Sequence, residues 1–252
     1  MSQLVFQDDR LELWHGDYRE ILPQLEPQSF DLCLADPPYG QTSLPWDAWP
    51  MGWPGHILPA MKPDASLWVC GSMRVFLDHA ADFADWRFAQ DVIWQKQNGT
   101  SPNSDRFRRI HEQVLHFYRG SWRLVYHETQ HTHDAQAKTV RRKQRPPHWG
   151  DIGAGRYQSV DHGPRQMRSI LEVKNCHGGA LHPTEKPTAL LEPLIAYACP
   201  PNGRVLVPFA GSGSELEAAR NLGRQAVGIE VSPDYCDVAV RRLQQEQLRL
   251  LV

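Results

Sequence analysis

The chain has 252 residues, 41% of them hydrophobic and 22% charged, with a formal net charge of -2. That length buries one large core with room for an insertion, and the near-neutral charge excludes a surface that clasps a polyanion on every side, so any nucleic-acid contact must be regional. The five cysteines lack a C-x-x-C pair and sit mostly among apolar residues, as at Cys33 and Cys70, which excludes a disulfide framework and predicts buried thiols in a reducing compartment. No apolar run approaches the roughly 18 residues of a membrane span, and Asp8 and Asp9 come before any signal-length run. A soluble cytoplasmic protein without a membrane partner is expected.

In chain order, Leu11 to His15 is the first β-favouring run, followed by a helical pattern from Tyr18 to Leu25. Phe30-Asp31-Leu32-Cys33-Leu34-Ala35 is a hydrophobic strand that stops at Asp36-Pro37-Pro38-Tyr39-Gly40. Further strands are predicted at Ser66 to Cys70, Asp91 to Trp94 and Gln113 to Tyr118, with a helix over Val75 to Ala84. Between about Gly120 and Gly179 the composition shifts to His, Arg, Gln, Pro and Gly and includes the basic run from Lys138 to Arg145. A compact domain rarely carries so long an irregular connection, so this stretch is expected to be an insertion with its own task. Beyond it come a helix over Thr188 to Ala198, a strand at Arg204 to Val207, a helix from Glu215 to Leu222, a strand at Gln225 to Ile229 and a helix from Asp234 to Leu250. Strands alternating with helices predict a doubly wound α/β sheet of about seven strands, mostly parallel. A helix start near Leu190 would put Pro193 in the first turn, where its missing N–H is harmless, and Gly223 reads as a left-handed stop after Leu222.

Two junctions carry chemistry. At the first, consecutive prolines fix the backbone and donate no hydrogen bonds, so the Asp36 carboxylate and the Pro37 carbonyl form a rigid pair of acceptors. Two acceptors binding the hydrogens of a planar exocyclic amine draw its nitrogen toward tetrahedral geometry and free a lone pair for in-line attack, and Tyr39 offers a ring on which a base can stack. At the second, Phe209-Ala210-Gly211-Ser212-Gly213-Ser214 is a glycine turn between strand and helix, whose open backbone and free amides suit a ligand. The next strand ends in Glu230, a carboxylate able to take both ribose hydroxyls. Leu216 occupies the position where a dinucleotide fingerprint needs a small residue, which disfavours a nicotinamide enzyme.

Together these residues resemble the amino-methylating DNA methyltransferases, in the permuted order where the D-P-P-Y motif precedes the cofactor motif. The resemblance implies a Rossmann-like S-adenosylmethionine-dependent fold: residues 1–119 as the catalytic half, 120–179 as an inserted target-recognition region, and 180–252 as the cofactor half. It implies a catalytic loop of Asp36, Pro37, Pro38 and Tyr39 acting on adenine N6. S-adenosylmethionine would be held by Asp17, Asp36, Thr184, Lys186, Phe209, Gly211, Ser212, Gly213, Ser214 and Glu230. Within that set Asp17, in His15-Gly16-Asp17, would face the cofactor's adenine; Thr184 and Lys186, in His182-Pro183-Thr184-Glu185-Lys186-Pro187, would lie near its methionine carboxylate. His111 to Phe117 and Gly228 to Tyr235 also fit the family's pattern. The chain departs from that pattern at Val207, where the family's turn usually opens with Asp, and at Ser214, where Thr is common.

DNA is the expected partner, with the target base flipped out of the duplex or unpaired. Candidate phosphate contacts are Arg106, Arg108 and Arg109, and Lys138, Arg141, Arg142, Lys143 and Arg145 in the basic run. Trp46-Asp47 is a candidate wall of the base pocket. His131, His133 and His148 lack paired-ligand spacing, so no metal is expected. A homodimer and a companion restriction endonuclease are compatible with the resemblance and fixed by neither motif. Cytosine-N4 methylation, an RNA or protein substrate, and a catalytically silent DNA-binding relative stay open as alternatives.

Overall fold

The computed structural model describes residues 2–97, 105–142, 155–176 and 185–250. It divides into two compact units, Met1–Glu128 with Ser169–Val252, and Thr129–Arg168. In chain order the elements are β1 (Gln3–Gln7), β2 (Leu11–His15), α1 (Tyr18–Ile21), β3 (Phe30–Ala35), α2 (Trp53–His56), β4 (Met61–Gly71), α3 (Met73–Asp78), β5 (Arg87–Gln95) and β6 (His111–Tyr118). There follow β7 (His131–Thr132), β8 (Lys138–Arg142), β9 (Gly155–Ser159) and β10 (Arg165–Gln166) in the smaller unit. The larger unit resumes with β11 (Ile170–Glu172), α4 (Thr188–Ala198), β12 (Arg204–Val207), α5 (Ser214–Asn221), β13 (Gln225–Glu230) and α6 (Pro233–Leu250).

The larger unit is built on a nine-stranded sheet in the order β1-β2-β13-β12-β3-β4-β6-β5-β11. Its centre, β2-β13-β12-β3-β4, is parallel throughout, whereas β1 and β6 run antiparallel to their neighbours. Alternate side chains leave a strand on opposite faces, which sorts the core into two layers. Leu32 and Leu34 of β3, Val205 and Val207 of β12, and Trp68 and Cys70 of β4 pack with residues of α4, α5 and α6. Cys33, Ala35, Leu206, Leu67 and Val69 pack on the other face with Tyr18, Ile21, Trp53 and Phe76. Strands covered on both faces have no polar side to show, and so read as unbroken apolar runs.

Helix α5 lies hard against β13, because a Cβ at Gly228 would meet Leu216 Cδ1 at 2.7 Å and Ala210 Cβ at 3.2 Å. Its C-terminus stops as expected: Gly223 takes φ 68° and Arg224 N–H donates to the Ala219 carbonyl at 2.9 Å. All five cysteines are free, and Cys33, Cys70, Cys199 and Cys236 are buried. Among the described residues no helix is long and apolar enough to cross a membrane.

Several expectations need correction. The sheet has nine strands rather than seven, since β1 and β11 add short edges. The predicted Tyr18 to Leu25 and Val75 to Ala84 helices each break into a short α-helix and a 3-10 turn. α4 begins at Thr188, so Pro193 lies inside it; burial of Leu190, Leu191, Leu194 and Ile195 outweighs the one backbone hydrogen bond that proline removes. The smaller unit, described as irregular from its composition, contains two antiparallel pairs, β7 with β10 and β8 with β9.

Replacing the fully buried Leu216 by Ala should cost about 2–5 kcal/mol in urea unfolding, because it empties the contact that seats α5 on β13. A loss below about 1 kcal/mol would show that the contact is dispensable.

Candidate active site

The parallel strands β2, β3, β12 and β13 all end at one edge of the sheet, where an open α/β sheet forms its crevice. There the segments after them, Gly16 to Arg19, Asp36 to Tyr39, Pro208 to Ser212 with Ser214, and Glu230 to Ser232, line a cavity of ≈ 400 Å³, together with Trp46, Glu185, Lys186, Glu215 and Tyr235.

At the tip of β3 both oxygens of Asp36 are engaged. The Tyr39 hydroxyl donates to Oδ1 at 2.7 Å and the Lys186 ammonium donates to Oδ2 at 2.6 Å. Burial pushes the Tyr39 hydroxyl well above its usual pKa, and the Asp36 charge adds to that, so the phenol stays protonated and donates. Lys186 is only 3% exposed. Burial is the largest influence on its ammonium and would lower its pKa, but Asp36 and Glu112 together outweigh it and raise the pKa, so the group stays charged. Glu112 Oε2 lies 3.6 Å from Lys186 Nζ, and Glu112 Oε1 pairs with Lys96. Desolvation pulls Glu112 up, and the two lysines pull it down further. Lys96, Glu112, Lys186 and Asp36 therefore form a row of alternating sign, with Lys186 buried and the other three half-buried, a geometry in which each partly desolvated charge has a partner.

The loop beyond Tyr39 is held by Asp47, whose Oδ1 accepts from Gly40 N–H at 2.9 Å and whose Oδ2 accepts from Gln41 and Thr42 N–H at 2.9 and 2.7 Å. Burial opposes ionisation of Asp47, but these bonds and the Thr42 hydroxyl more than compensate and lower its pKa. Trp46 next to it lines the cavity and meets Tyr235 edge to face at 6.4 Å.

The opposite part of the cavity is formed by backbone amides and a carboxylate. Gly213 adopts φ 82° and comes so close to α6 that a Cβ would lie 3.1 Å from Ala239 Cβ. Glu230 accepts from Gly211 N–H and Ser232 N–H, each at 2.8 Å. Burial raises the Glu230 pKa against the pull of these bonds. Phe209 packs edge to face on Tyr18 and Trp53, each at 5.4 Å. Asp17 caps α1, accepts from Arg19 N–H at 2.8 Å and is ion-paired with the Arg19 guanidinium, whose hydrogen bonds hold its pKa below the usual carboxylate range against desolvation.

All four residues of the predicted catalytic loop line the cavity, as do Asp17, Lys186, Phe209, Gly211, Ser212, Ser214 and Glu230 of the predicted cofactor set. Gly213 shapes the turn without lining it. Thr184 lies outside the described residues, as do Lys143 and Arg145. Arg106, Arg108 and Arg109 are exposed in the stretch before β6, where Arg106 pairs with Asp105. Lys138 and Arg141 are exposed on β8 of the smaller unit, and Arg142 ends that strand. The sequence reading did not single out Glu112 or Glu215 as site residues; an acid inside a strand or helix carries no local sign of what it faces.

A family model described as DNA methylase matches residues 30–241, and the chain belongs to this N6/N4 DNA methylase family. It is 28% identical to the Type II methyltransferase M.ScaI of Streptomyces caespitosus over 98% of this chain and 85% of that one. It is 24% identical to the Type II methyltransferase M2.DpnII of Streptococcus pneumoniae over 98% of this chain and 94% of that one. Among solved structures, the M1.HpyAVI-SAM complex shares the fold with a TM-score of 0.62 at 24% identity, covering 92% of this chain and 99% of that one. The PvuII DNA methyltransferase, specific for cytosine N4 by name, does so with a TM-score of 0.68 at 16% identity, covering 95% and 88%.

Lys186→Met should destabilise the protein by about 3–5 kcal/mol, because Asp36 is left half-buried without its cation. Adding Asp36→Asn should restore much of that loss in a double-mutant cycle of urea unfolding. Unchanged stability of the single variant would contradict the pairing.

Proposed function

We propose that the chain transfers a methyl group from S-adenosylmethionine to the N6 amino group of an adenine flipped out of DNA. The observation that carries this reading is Asp36: a carboxylate at the tip of a buried strand, with each oxygen fixed by one internal donor, opening on the cavity that also holds Glu230. Each carboxylate oxygen has two lone pairs, so the bonds from Tyr39 and Lys186 leave acceptor capacity for a base amine. Lys186 locks the carboxylate's orientation before substrate arrives, and such preorganisation is where the rate enhancement originates. Pro37 adds a carbonyl that no proline N–H competes for.

The cavity suits an adenosine-bearing cofactor. Glu230 is buried at a strand tip beside an open glycine turn, with backbone donors already orienting it, and the volume of ≈ 400 Å³ is in the range of small-ligand sites. When bound, S-adenosylmethionine supplies an electrophilic methyl group on sulfur. On this reading Glu230 takes the ribose hydroxyls, Asp17 faces the adenine, Phe209 bounds the pocket, and Thr184 and Lys186 serve the methionine end. The M1.HpyAVI-SAM complex, which shares the fold, supports that choice. Adenine over cytosine rests on Asp36 itself, since the family resemblance implies that D-P-P-Y usually accompanies adenine and S-P-P-Y cytosine N4.

Residues 120–179, with the compact unit Thr129–Arg168 at their centre, are assigned to target recognition, and the exposed Arg106, Arg108, Arg109, Lys138 and Arg141 to phosphates. The Type II names of the relatives are consistent with a role in restriction and modification beside a companion endonuclease.

Asp36→Ala should lower the methylation rate by at least about 10²–10³-fold, the scale of losing one preorganised polar contact. Calorimetry should still record binding of S-adenosylhomocysteine to that variant. Undiminished turnover would remove Asp36 from the mechanism.

A further inference from the structure

One carboxyl in the cavity has no part in the scheme above. Glu215 is the second residue of α5, is 5% exposed and lines the cavity. Among the described residues no other side chain donates a hydrogen bond to it; its own backbone N–H does. The neighbouring cations are already engaged, Lys186 with Asp36, Lys96 with Glu112, and Arg242 of α6 with both Glu185 and Glu217, which leaves one carboxylate in excess before Glu215 is counted. An ionised Glu215 therefore adds a buried negative charge that no neighbouring cation is left to match. The strand before α5 also lacks the family's usual acid, having the fully buried Val207 instead.

We propose that Glu215 is the carboxylate that receives the cationic methionine end of the cofactor, through its sulfonium or its ammonium, and that it ionises as the cofactor binds. This rests on the cavity being the cofactor site. Without ligand a proton on Glu215 spares the site a further unpaired negative charge, and an arriving cation supplies the countercharge that lets that proton leave. The groups facing Glu215 agree with this. Burial first, then the Asp36 charge, push its pKa up to about 8, against smaller opposite pulls from Lys186 and Arg242, and the Cys70 thiol, which also senses the Glu215 charge, is itself held neutral by burial. A cation beside the carboxylate lowers that pKa, so binding at pH 7 releases the proton, and affinity for the cation rises with pH until about pH 8.

The test is calorimetric titration of the full chain with S-adenosylmethionine and with S-adenosylhomocysteine at pH 7, in buffers of different ionisation enthalpy. Wild type should release most of one proton more per bound S-adenosylmethionine than Glu215→Gln, since a group titrating near 8 is mainly protonated at pH 7. At pH 8.5 the Gln variant should bind S-adenosylmethionine about tenfold more weakly than wild type. The homocysteine arm locates the contact: equal release means the ammonium, release with S-adenosylmethionine alone means the sulfonium. Wild-type binding of S-adenosylmethionine at pH 7 without net proton release overturns the proposal, and that measurement on wild type does not depend on how the variant folds. Absence of binding of either compound to wild type would instead remove the cofactor site itself, and this inference with it.

Discussion

The site depends on one buried ion pair. Lys186 and Asp36 are 150 residues apart in the chain and 2.6 Å apart in space, and neither is stable alone where it lies. Removing an ammonium and a carboxylate from water costs several kcal/mol per ion, repaid only by good geometry and further partners. Here the further partners are Tyr39 on one side and the Glu112-Lys96 pair on the other. The same contact ties the loop after β3 to the segment before α4, joining the early and late parts of the chain at the cavity.

The two parts of the cavity use different physics. Around Asp36 the groups are side chains with full charges, fixed by mutual pairing and by prolines that restrict the backbone. Around Glu230 the donors are peptide N–H groups of a glycine turn, made available by the left-handed conformation of Gly213 and by the end of a strand. A carboxylate held by backbone donors can accept hydroxyls without changing shape, whereas one held by a lysine and a tyrosine is poised in charge as well as in position. This division matches a site that must hold a nucleoside at one end and polarise an amine at the other, which is the reading proposed for it.

Much of the fold was legible because its signals are local. Phe30 to Ala35 and Arg204 to Val207 are strands over the predicted spans, since burial on both faces makes them apolar except at the half-buried Asp31 and Arg204 near their starts, and Gly223 ends α5 through a backbone angle other residues resist. β1 and β11 escaped because edge strands gain their pairing from a neighbour rather than from their own pattern, and α2 because Pro54 and Gly55 read as turn formers. Pro193 was misjudged because packing of the flanking leucines overrides local propensity. In the site, Asp36 and Glu230 stand at strand ends, where position alone draws notice. Glu112 and Glu215 look like ordinary surface acids of a strand and a helix, and only the three-dimensional arrangement turns them inward.

The central claim is that this centre methylates an adenine amine, and product identity tests it most directly. Duplex DNA of mixed sequence is incubated with the protein and S-adenosylmethionine carrying an isotope-labelled methyl group, then digested and analysed by nucleoside mass spectrometry. The account predicts label in N6-methyladenine alone. Label in N4-methylcytosine, or none in any base, would contradict it.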